Sequence, residues 1–170
     1  MKTMLRLTLA AVLAALAAPA LALQATSNFT VTATVNATCK VTPGTATLAF
    51  GVYDPTAAGN GATGSTTINF HCTKSTPWKV TLSLGNNGPS AVGTTRAMAA
   101  AGDVLSYELY TDSGYANAWS SNPATIGATV VTGTGTAGGD TVTVYGAIPG
   151  GQYPTPSAGY TDTIQIQVNY

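Results

Sequence analysis

Residues 28–41 read NFTVTATVNATCKV and alternate apolar and polar side chains without a fault. The odd positions carry Phe, Val, Ala, Val, Ala, Cys and Val, and the even positions carry Asn, Thr, Thr, Thr, Asn, Thr and Lys. Successive side chains of a β-strand point to opposite faces. The pattern therefore predicts one long strand with a single dry face.

The same alternation recurs along the rest of the chain. Runs of this kind lie at 67–72, 78–84, 105–109, 142–148 and 160–170. Loops rich in Gly, Pro, Asn and Ser separate them, and the two richest in glycine are 56–65 and 133–140. Only residues 96–101 have a locally helical pattern. Six or more short strands with almost no helix predict an all-β fold, an antiparallel β-sandwich.

The composition excludes several classes of protein. Charged residues make up 7% of the chain, with six basic against six acidic side chains, whereas 45% of the residues are hydrophobic. Disordered chains have the opposite balance, so this chain should fold. Nucleic-acid binding needs a basic face that six balanced residues do not supply. Beyond the N-terminus no apolar run reaches the roughly 18 residues of a membrane span. We expect neither nucleic-acid binding nor membrane insertion.

Residues 1–22 have the pattern of a secretory signal peptide. Lys2 and Arg6 precede an apolar stretch at 7–16, and Ala20 and Ala22 provide the small residues that signal peptidase requires. Cleavage is expected after Ala22, with a second candidate position after Ala20. The sequence thus predicts an exported protein with a single domain at residues 23–170.

Cys39 and Cys72 are the only cysteines of the chain. In an exported domain, two cysteines form a disulfide more often than a metal or redox site. Zinc requires about four ligands, and His71 is the only further candidate. The sequence therefore predicts a Cys39–Cys72 disulfide, which would stabilise the domain by about 3–4 kcal/mol.

The chain offers little that could support catalysis. Two glycine patterns, at 59–64 and 133–138, match a dinucleotide fingerprint, but no helical pattern follows either of them to hold a pyrophosphate. His71 is the candidate general base, and strand alternation turns it away from Cys72 towards solvent. We predict no enzyme activity, no cofactor and no metal site. Three loop aromatics could instead stack on a carbohydrate: Tyr115, Trp119 and Tyr153.

Six short motifs are spread over the predicted domain. They are Phe29-x-Val31-x-Ala33-x-Val35 before Cys39, Leu48-x-Phe50-Gly51-x-Tyr53-Asp54, Cys72-Thr73, Tyr107-x-Leu109-Tyr110, Val144-Tyr145-Gly146-x-Ile148 and the stretch GYTDTIQIQVNY at 159–170. Together they resemble the spore coat protein U domain family, which includes the major subunits of archaic chaperone-usher pili. The resemblance covers essentially the whole predicted domain.

The resemblance implies an immunoglobulin-like sandwich that lacks its final strand and is completed by a donated one. Residues at about 24–37 would form the N-terminal donor strand, with Phe29, Val31, Ala33 and Val35 entering a neighbour's groove. The acceptor groove and chaperone-recognition strand would be formed by Ile164, Ile166, Val168 and Tyr170. Because no further strand pattern follows Tyr170, we expect this last strand to keep an open edge.

The function implied by the resemblance is that of a structural pilin, which polymerises by donor-strand exchange into surface fibres for adhesion and biofilm formation. Its partners would be identical or related subunits, a periplasmic chaperone and an outer-membrane usher. The chain would cross the inner membrane to the periplasm and then reach the cell surface. Two alternatives remain open: a self-complemented secreted coat protein that stays monomeric, and a carbohydrate-binding adhesin.

Overall fold

The computed structural model describes residues 23–42, 44, 46–88, 95–120 and 130–170. This part of the chain contains eight β-strands and no helix with the length and hydropathy of a membrane span. The strands are β1 Cys39–Val41, β2 Asn60–Cys72, β3 Pro77–Leu82, β4 Thr95–Ala100, β5 Asp103–Tyr110, β6 Val131–Thr134, β7 Asp140–Pro149 and β8 Ile166–Asn169. The all-β prediction is confirmed.

The chain divides into two units, Met1–Thr34 and Val35–Tyr170. In the first unit the described residues are 23–34, and they contain no strand. The signal peptide predicted at residues 1–22 lies outside the described part. All eight strands belong to the second unit, which is the sandwich considered below.

The strands of the second unit form two antiparallel sheets. The first has the order β1-β2-β7-β5-β4, and the second has the order β6-β3-β8. The long pairing of β2 with β7 is the centre of the first sheet, where Ile68 faces Val142 and Thr66 faces Val144. This is the antiparallel sandwich of two sheets that alternation along the chain predicts.

The core lies between the two sheets because each strand directs its apolar side chains to one face. Phe70 of β2 contacts Trp78 of β3 edge-to-face, with the ring centroids 4.9 Å apart. Each fully buried side chain of this size contributes about 1.5–3 kcal/mol to folding. The buried core residues that both sheets supply are Ile68, Phe70, Trp78, Val80, Leu82, Leu105, Tyr107, Leu109, Val142, Val144 and Ile148.

Three local predictions differ from the structure. The strand expected over 28–41 is observed only at its last three residues, β1, because a strand exists where a neighbour accepts its hydrogen bonds, and residues 28–37 have no such neighbour in the described part of the chain. The helical pattern at 96–101 forms β4, paired with β5. The glycine-rich loops at 56–65 and 133–140 provide parts of β2 and β6, where glycine allows other segments to approach closely.

The predicted disulfide joins Cys39 to Cys72, and these two residues are also directly paired across β1 and β2. It holds the short edge strand β1 to the first sheet. Thr38, the residue before β1, exchanges further bonds with Thr73: the N–H of Thr73 donates to the Thr38 carbonyl at 2.9 Å, and the N–H of Thr38 donates to the Thr73 hydroxyl at 3.1 Å.

Candidate binding groove

A groove of about 630 Å³ lies at the side of the sandwich, between the segment 46–50 and the segment 160–166. Its floor consists of core side chains from both sheets. Its apolar lining comprises Leu48, Phe50, Ile68, Leu82, Met98, Leu109, Val144, Ile164 and Ile166. A groove with these dimensions and this lining suits an extended apolar segment.

The first wall, residues 46–50, is placed by a pair of facing glycines. Gly64 of β2 and Gly146 of β7 are direct partners in the sheet. A Cβ atom at position 64 would lie 2.7 Å from the carbonyl oxygen of Ala49, and one at position 146 would lie 2.8 Å from the Phe50 ring. The missing side chains therefore provide the space in which this wall crosses the sheet.

The backbone of the first wall is left open. Thr42 bonds to Asn69, and the N–H of Asp54 donates to the carbonyl of Gly61. Among the described residues between these two points, no backbone hydrogen bond joins residues 46–53 to a neighbouring segment. Their peptide groups are available to a partner strand.

The second wall is fixed by Asp162. Its Oδ2 accepts a 2.8 Å hydrogen bond from the hydroxyl of Tyr107, and its Oδ1 accepts one of 2.8 Å from the backbone N–H of Asn86. A Cβ atom at Gly85, whose φ is +86°, would collide with this carboxylate. Burial and then the bond to Asp162 raise the pKa of Tyr107. The aspartate of the terminal motif thus ties the wall to the turn after β3.

The second wall continues into β8, which has one free edge. Among the strands of the described residues, β8 is the last of its sheet and pairs with β3 alone. The N–H of Ser83 donates to the Gln165 carbonyl at 3.0 Å, so Gln165 belongs to a hydrogen-bonded pair. In an antiparallel ladder such pairs alternate with pairs whose peptide groups point away. The register therefore turns the peptide groups of Ile164, Ile166 and Val168 towards the open edge.

The four residues predicted to form the acceptor strand occupy different positions. Ile164 and Ile166 line the groove, and Val168 packs partly buried against the core. Tyr170 is 61% exposed and is not part of the groove lining. The alternation predicted for 160–170 is observed from 160 to 168, with the even positions turned inward, and ends before the exposed Tyr170.

The four residues predicted as donor side chains are exposed. Phe29 is 88% exposed, Val31 80% and Val35 81%, and Ala33 is exposed as well. Large apolar side chains in water cost free energy that burial in an apolar site would recover.

Arg96 is a buried residue that sequence patterns did not single out. It is fully buried in β4, where its Nε donates to the Ser83 carbonyl at 2.9 Å and its Nη1 donates to the Trp119 carbonyl at 3.3 Å. Burial lowers its pKa, and the charge of Asp162 is among those that oppose this shift. Its planar fork thus joins the backbone of the residue after β3 to the backbone of Trp119.

The remaining candidates for chemistry are separate from the groove. Trp119 is fully buried, so it cannot stack on a carbohydrate; Tyr153 is 77% exposed, and Tyr115 contacts the ring of Tyr110. His71 is exposed on the outer face of β2, as alternation indicates. Within the described ranges, no three His, Cys, Asp or Glu side chains form a cluster that could hold a metal ion.

Comparison with protein-family models gives a match over most of the chain. The model of the Spore Coat Protein U domain matches residues 25–167. The chain belongs to this family. The resemblance inferred from the six motifs is therefore confirmed, and the matched range includes the exposed N-terminal segment as well as the groove.

Comparison with individual proteins gives weaker likenesses. No curated protein matches the chain. One similar solved structure is the complex of the chaperone CsuC with the tip adhesion subunit CsuE from the archaic chaperone-usher Csu pili of Acinetobacter baumannii, with 22% sequence identity and a TM-score of 0.47. The match covers 81% of this chain and 40% of that chain, so this Spore Coat Protein U domain spans less than half the length of its relative.

A second groove extends the first along this Spore Coat Protein U domain. It has a volume of about 780 Å³ and shares Leu48, Phe50, Met98 and Tyr160 with the first. Its own lining includes Pro55, Tyr153 and Pro154. The two grooves together form a cleft between residues 46–55 and residues 153–166.

Proposed function

We propose that this chain is a structural subunit that binds a strand donated by another copy and so polymerises by donor-strand exchange. The observation that carries the proposal is the open edge of β8, with outward peptide groups at Ile164, Ile166 and Val168, directly beside an apolar groove. Strand addition to a sheet edge uses these two features: backbone bonds provide affinity, and alternate side-chain pockets provide specificity.

The donated strand would be the segment at about 24–37 of a neighbouring copy. Its apolar residues Phe29, Val31, Ala33 and Val35 lie at every second position, which is the spacing of side chains on one face of a strand. Paired with β8, the segment would direct these side chains into the groove and its threonines to solvent. This is also the range in which the sequence predicts a strand that the free chain lacks.

Donation from one copy to the next is a head-to-tail contact between different surfaces. A contact of this kind does not close on itself unless a rotation brings the ends together, so it generates an open filament. The proposed product is a surface fibre that serves adhesion and biofilm formation. The low charge of the chain, six basic against six acidic residues, would limit repulsion between stacked copies.

A subunit with an exposed edge and an unfilled groove is prone to pair with wrong partners before assembly. We therefore propose that a periplasmic chaperone covers the groove until assembly and that an outer-membrane usher directs the exchange. The chain would be exported through the inner membrane and delivered to the cell surface. The proposal accordingly assigns the chain no enzymatic role.

The test changes the donor face alone. Val31→Asp/Val35→Asp places two charges where apolar side chains should enter the groove, and Thr30→Asp/Thr34→Asp is the matched control on the opposite face. Because all four residues are exposed, the variants should fold as the parent does. We expect linear polymers, seen by size-exclusion chromatography and electron microscopy, from the parent and the control but not from the valine variant. Unimpaired polymerisation of the valine variant, or a parent chain that stays monomeric, would reject the proposal.

A further inference from the structure

The lysines of the described residues gather at one end of the sandwich. Lys40 lies in β1 beside the disulfide, Lys74 lies in the turn 73–76, and Lys79 follows near the start of β3. Lys40 and Lys74 are exposed. We call this the basal end; it is where β2 stops and the turn 73–76 begins. Two carboxylates lie towards this end: Asp140, which is only 6% exposed, and Asp112, in the turn 111–117 that follows β5.

The opposite end of the sandwich, where β2 begins, carries carboxylates. The N–H of Asp54 donates to the carbonyl of Gly61 near the start of β2. Asp103 begins β5 and accepts a 2.9 Å hydrogen bond from the N–H of Thr155. We call this the apical end. From Gly61 to His71 the strand advances ten residues at roughly 3.3 Å each, about 33 Å.

Both apical carboxylates are held in charged form by local hydrogen bonds. The hydroxyl and then the N–H of Thr56 donate to Asp54 and lower its pKa. The N–H groups of Thr155 and Val104 donate to Asp103 and lower its pKa in the same way. Because the basal end carries exposed lysines and the apical end carries ionised aspartates, the subunit has opposite charges at its two ends.

The proposed donor segment is attached to the sandwich at its basal end, so this end would lie at the junction between two copies. The segment at about 24–37 immediately precedes Thr38, which bonds to Thr73 at the basal end. The cleft of an acceptor opens towards its own apical end, where Pro55 and Tyr153 line it near Asp54. A donor subunit is therefore held with its basal end against one of the two ends of its neighbour's cleft.

Charge distinguishes the two arrangements. If the donor's basal end faces the neighbour's apical end, lysines meet aspartates; if it faces the neighbour's basal end, lysines meet lysines. Opposite charges across an interface accelerate association, and like charges act against the wrong arrangement. Resting on the proposed function, we propose that the junction between copies is charge-complementary, with Lys40 and Lys74 of one copy facing Asp54 and Asp103 of the next.

The experiment reverses the charge of each end in the full chain. Lys40→Glu/Lys74→Glu makes both ends acidic, and Asp54→Lys/Asp103→Lys makes both ends basic. We expect each double variant to polymerise about tenfold more slowly than the parent in roughly 10 mM salt, where the Debye length is about 30 Å. The difference should disappear in about 1 M salt, where that length is about 3 Å. Light scattering gives the rates.

Mixing the two double variants provides the decisive measurement. In an equimolar mixture, each acidic end can meet a basic end of the other variant, so we expect alternating fibres at close to the parent rate. The variant with all four substitutions keeps the parent's net charge and should polymerise at the parent rate as well. Thr67→Glu, on the exposed outer face of β2 between the ends, is the control for an added charge and should change the rate little.

The outcomes separate this inference from the proposed function. If the parent chain does not polymerise, the proposed function fails. If the parent polymerises and both double variants keep its rate at low salt, or the mixture stays as slow as its components, the charge-complementary junction is wrong while strand exchange stands. If Asp54→Lys/Asp103→Lys lowers the melting temperature, Asp54→Asn/Asp103→Asn retains acceptor oxygens for Thr56 and Thr155 and removes only the charge; it should still slow polymerisation.

Discussion

Single residues decide the shape of the groove wall. Gly64 and Gly146 face each other across β2 and β7, and the segment 48–50 crosses the sheet over them. The sequence shows the two glycines but not that another segment crosses over them, because a glycine in an alternating pattern is equally typical of a turn. Asp162 is similar: it occupies an inward position of the terminal pattern and proves to bind Tyr107 and the turn at 85–87.

Gly64→Ala tests the role of this close approach. The new Cβ atom would lie 2.7 Å from the Ala49 carbonyl oxygen, so the wall must shift. We expect a loss of about 2 kcal/mol in the free energy of unfolding, typical of overpacking. Gly59→Ala is the control, because nothing lies within 4 Å of its Cβ position and its change should stay within about 0.5 kcal/mol. Urea unfolding measures both; equal values for the two variants would contradict the packing argument.

At the scale of a single element, strand β8 has backbone peptide groups at one edge that bond to no neighbouring strand among the described residues. Within the part of the chain that the structure describes, it pairs with β3 alone and its sheet ends there. Alternation in the sequence predicts the strand and its inward face, and the register then determines which peptide groups point outward. The exposed segment 28–37 is the complementary case, since it has the side-chain pattern of a strand and no hydrogen-bonded partner among the described residues.

Amide exchange should follow this alternation along the strand. In the monomeric subunit we expect fast exchange at Ile164, Ile166 and Val168, whose N–H groups face the open edge, and slow exchange at Gln167, which pairs with Thr81. On polymerisation the first three amides should become protected, because a donated strand accepts their hydrogen bonds. Hydrogen-exchange NMR of the monomer and exchange-quenched fibres provide the comparison. Unchanged exchange at all three positions would show that the donor does not pair with this edge.

The whole molecule carries two apolar surfaces that the proposed function joins between copies. The sandwich carries an apolar groove of about 630 Å³, and the N-terminal segment carries apolar side chains in water. Each surface exposes apolar groups to water, so burying either of them would lower the free energy. In the proposed polymer, joining the donor of one copy to the groove of the next would remove both surfaces from water and extend the sheet.

Polymers should consequently be more heat-stable than the subunit. Burying Phe29, Val31 and Val35 contributes about 1.5–3 kcal/mol for each side chain. For a domain of this size, 1 kcal/mol corresponds to roughly 2–4 °C, so we expect the melting temperature to rise by about 10 °C or more on polymerisation. Differential scanning calorimetry of monomer and fibre makes the measurement, with Thr30→Asp/Thr34→Asp fibres as control. Identical melting temperatures of monomer and fibre would contradict the burial of the donor side chains in the groove.

The amino-acid sequence alone determined the fold class, the disulfide and the inward face of the terminal strand. Each of these depends on local information: alternation records which side chains avoid water, and two cysteines leave one possible pairing. The sequence motifs also indicated the Spore Coat Protein U domain family, which the family match confirms.

Only the tertiary structure decided where these elements meet. The burial of Arg96, the crossing of residues 48–50 over Gly64, the turn bound by Asp162 and the separation of lysines from aspartates all depend on contacts between residues distant in the chain. The same holds for the conversion of 96–101 into β4 and for the absence of a strand at 28–38. Hydrogen bonding to a neighbour decides whether an alternating segment is a strand, and the sequence pattern records only which of its faces avoids water.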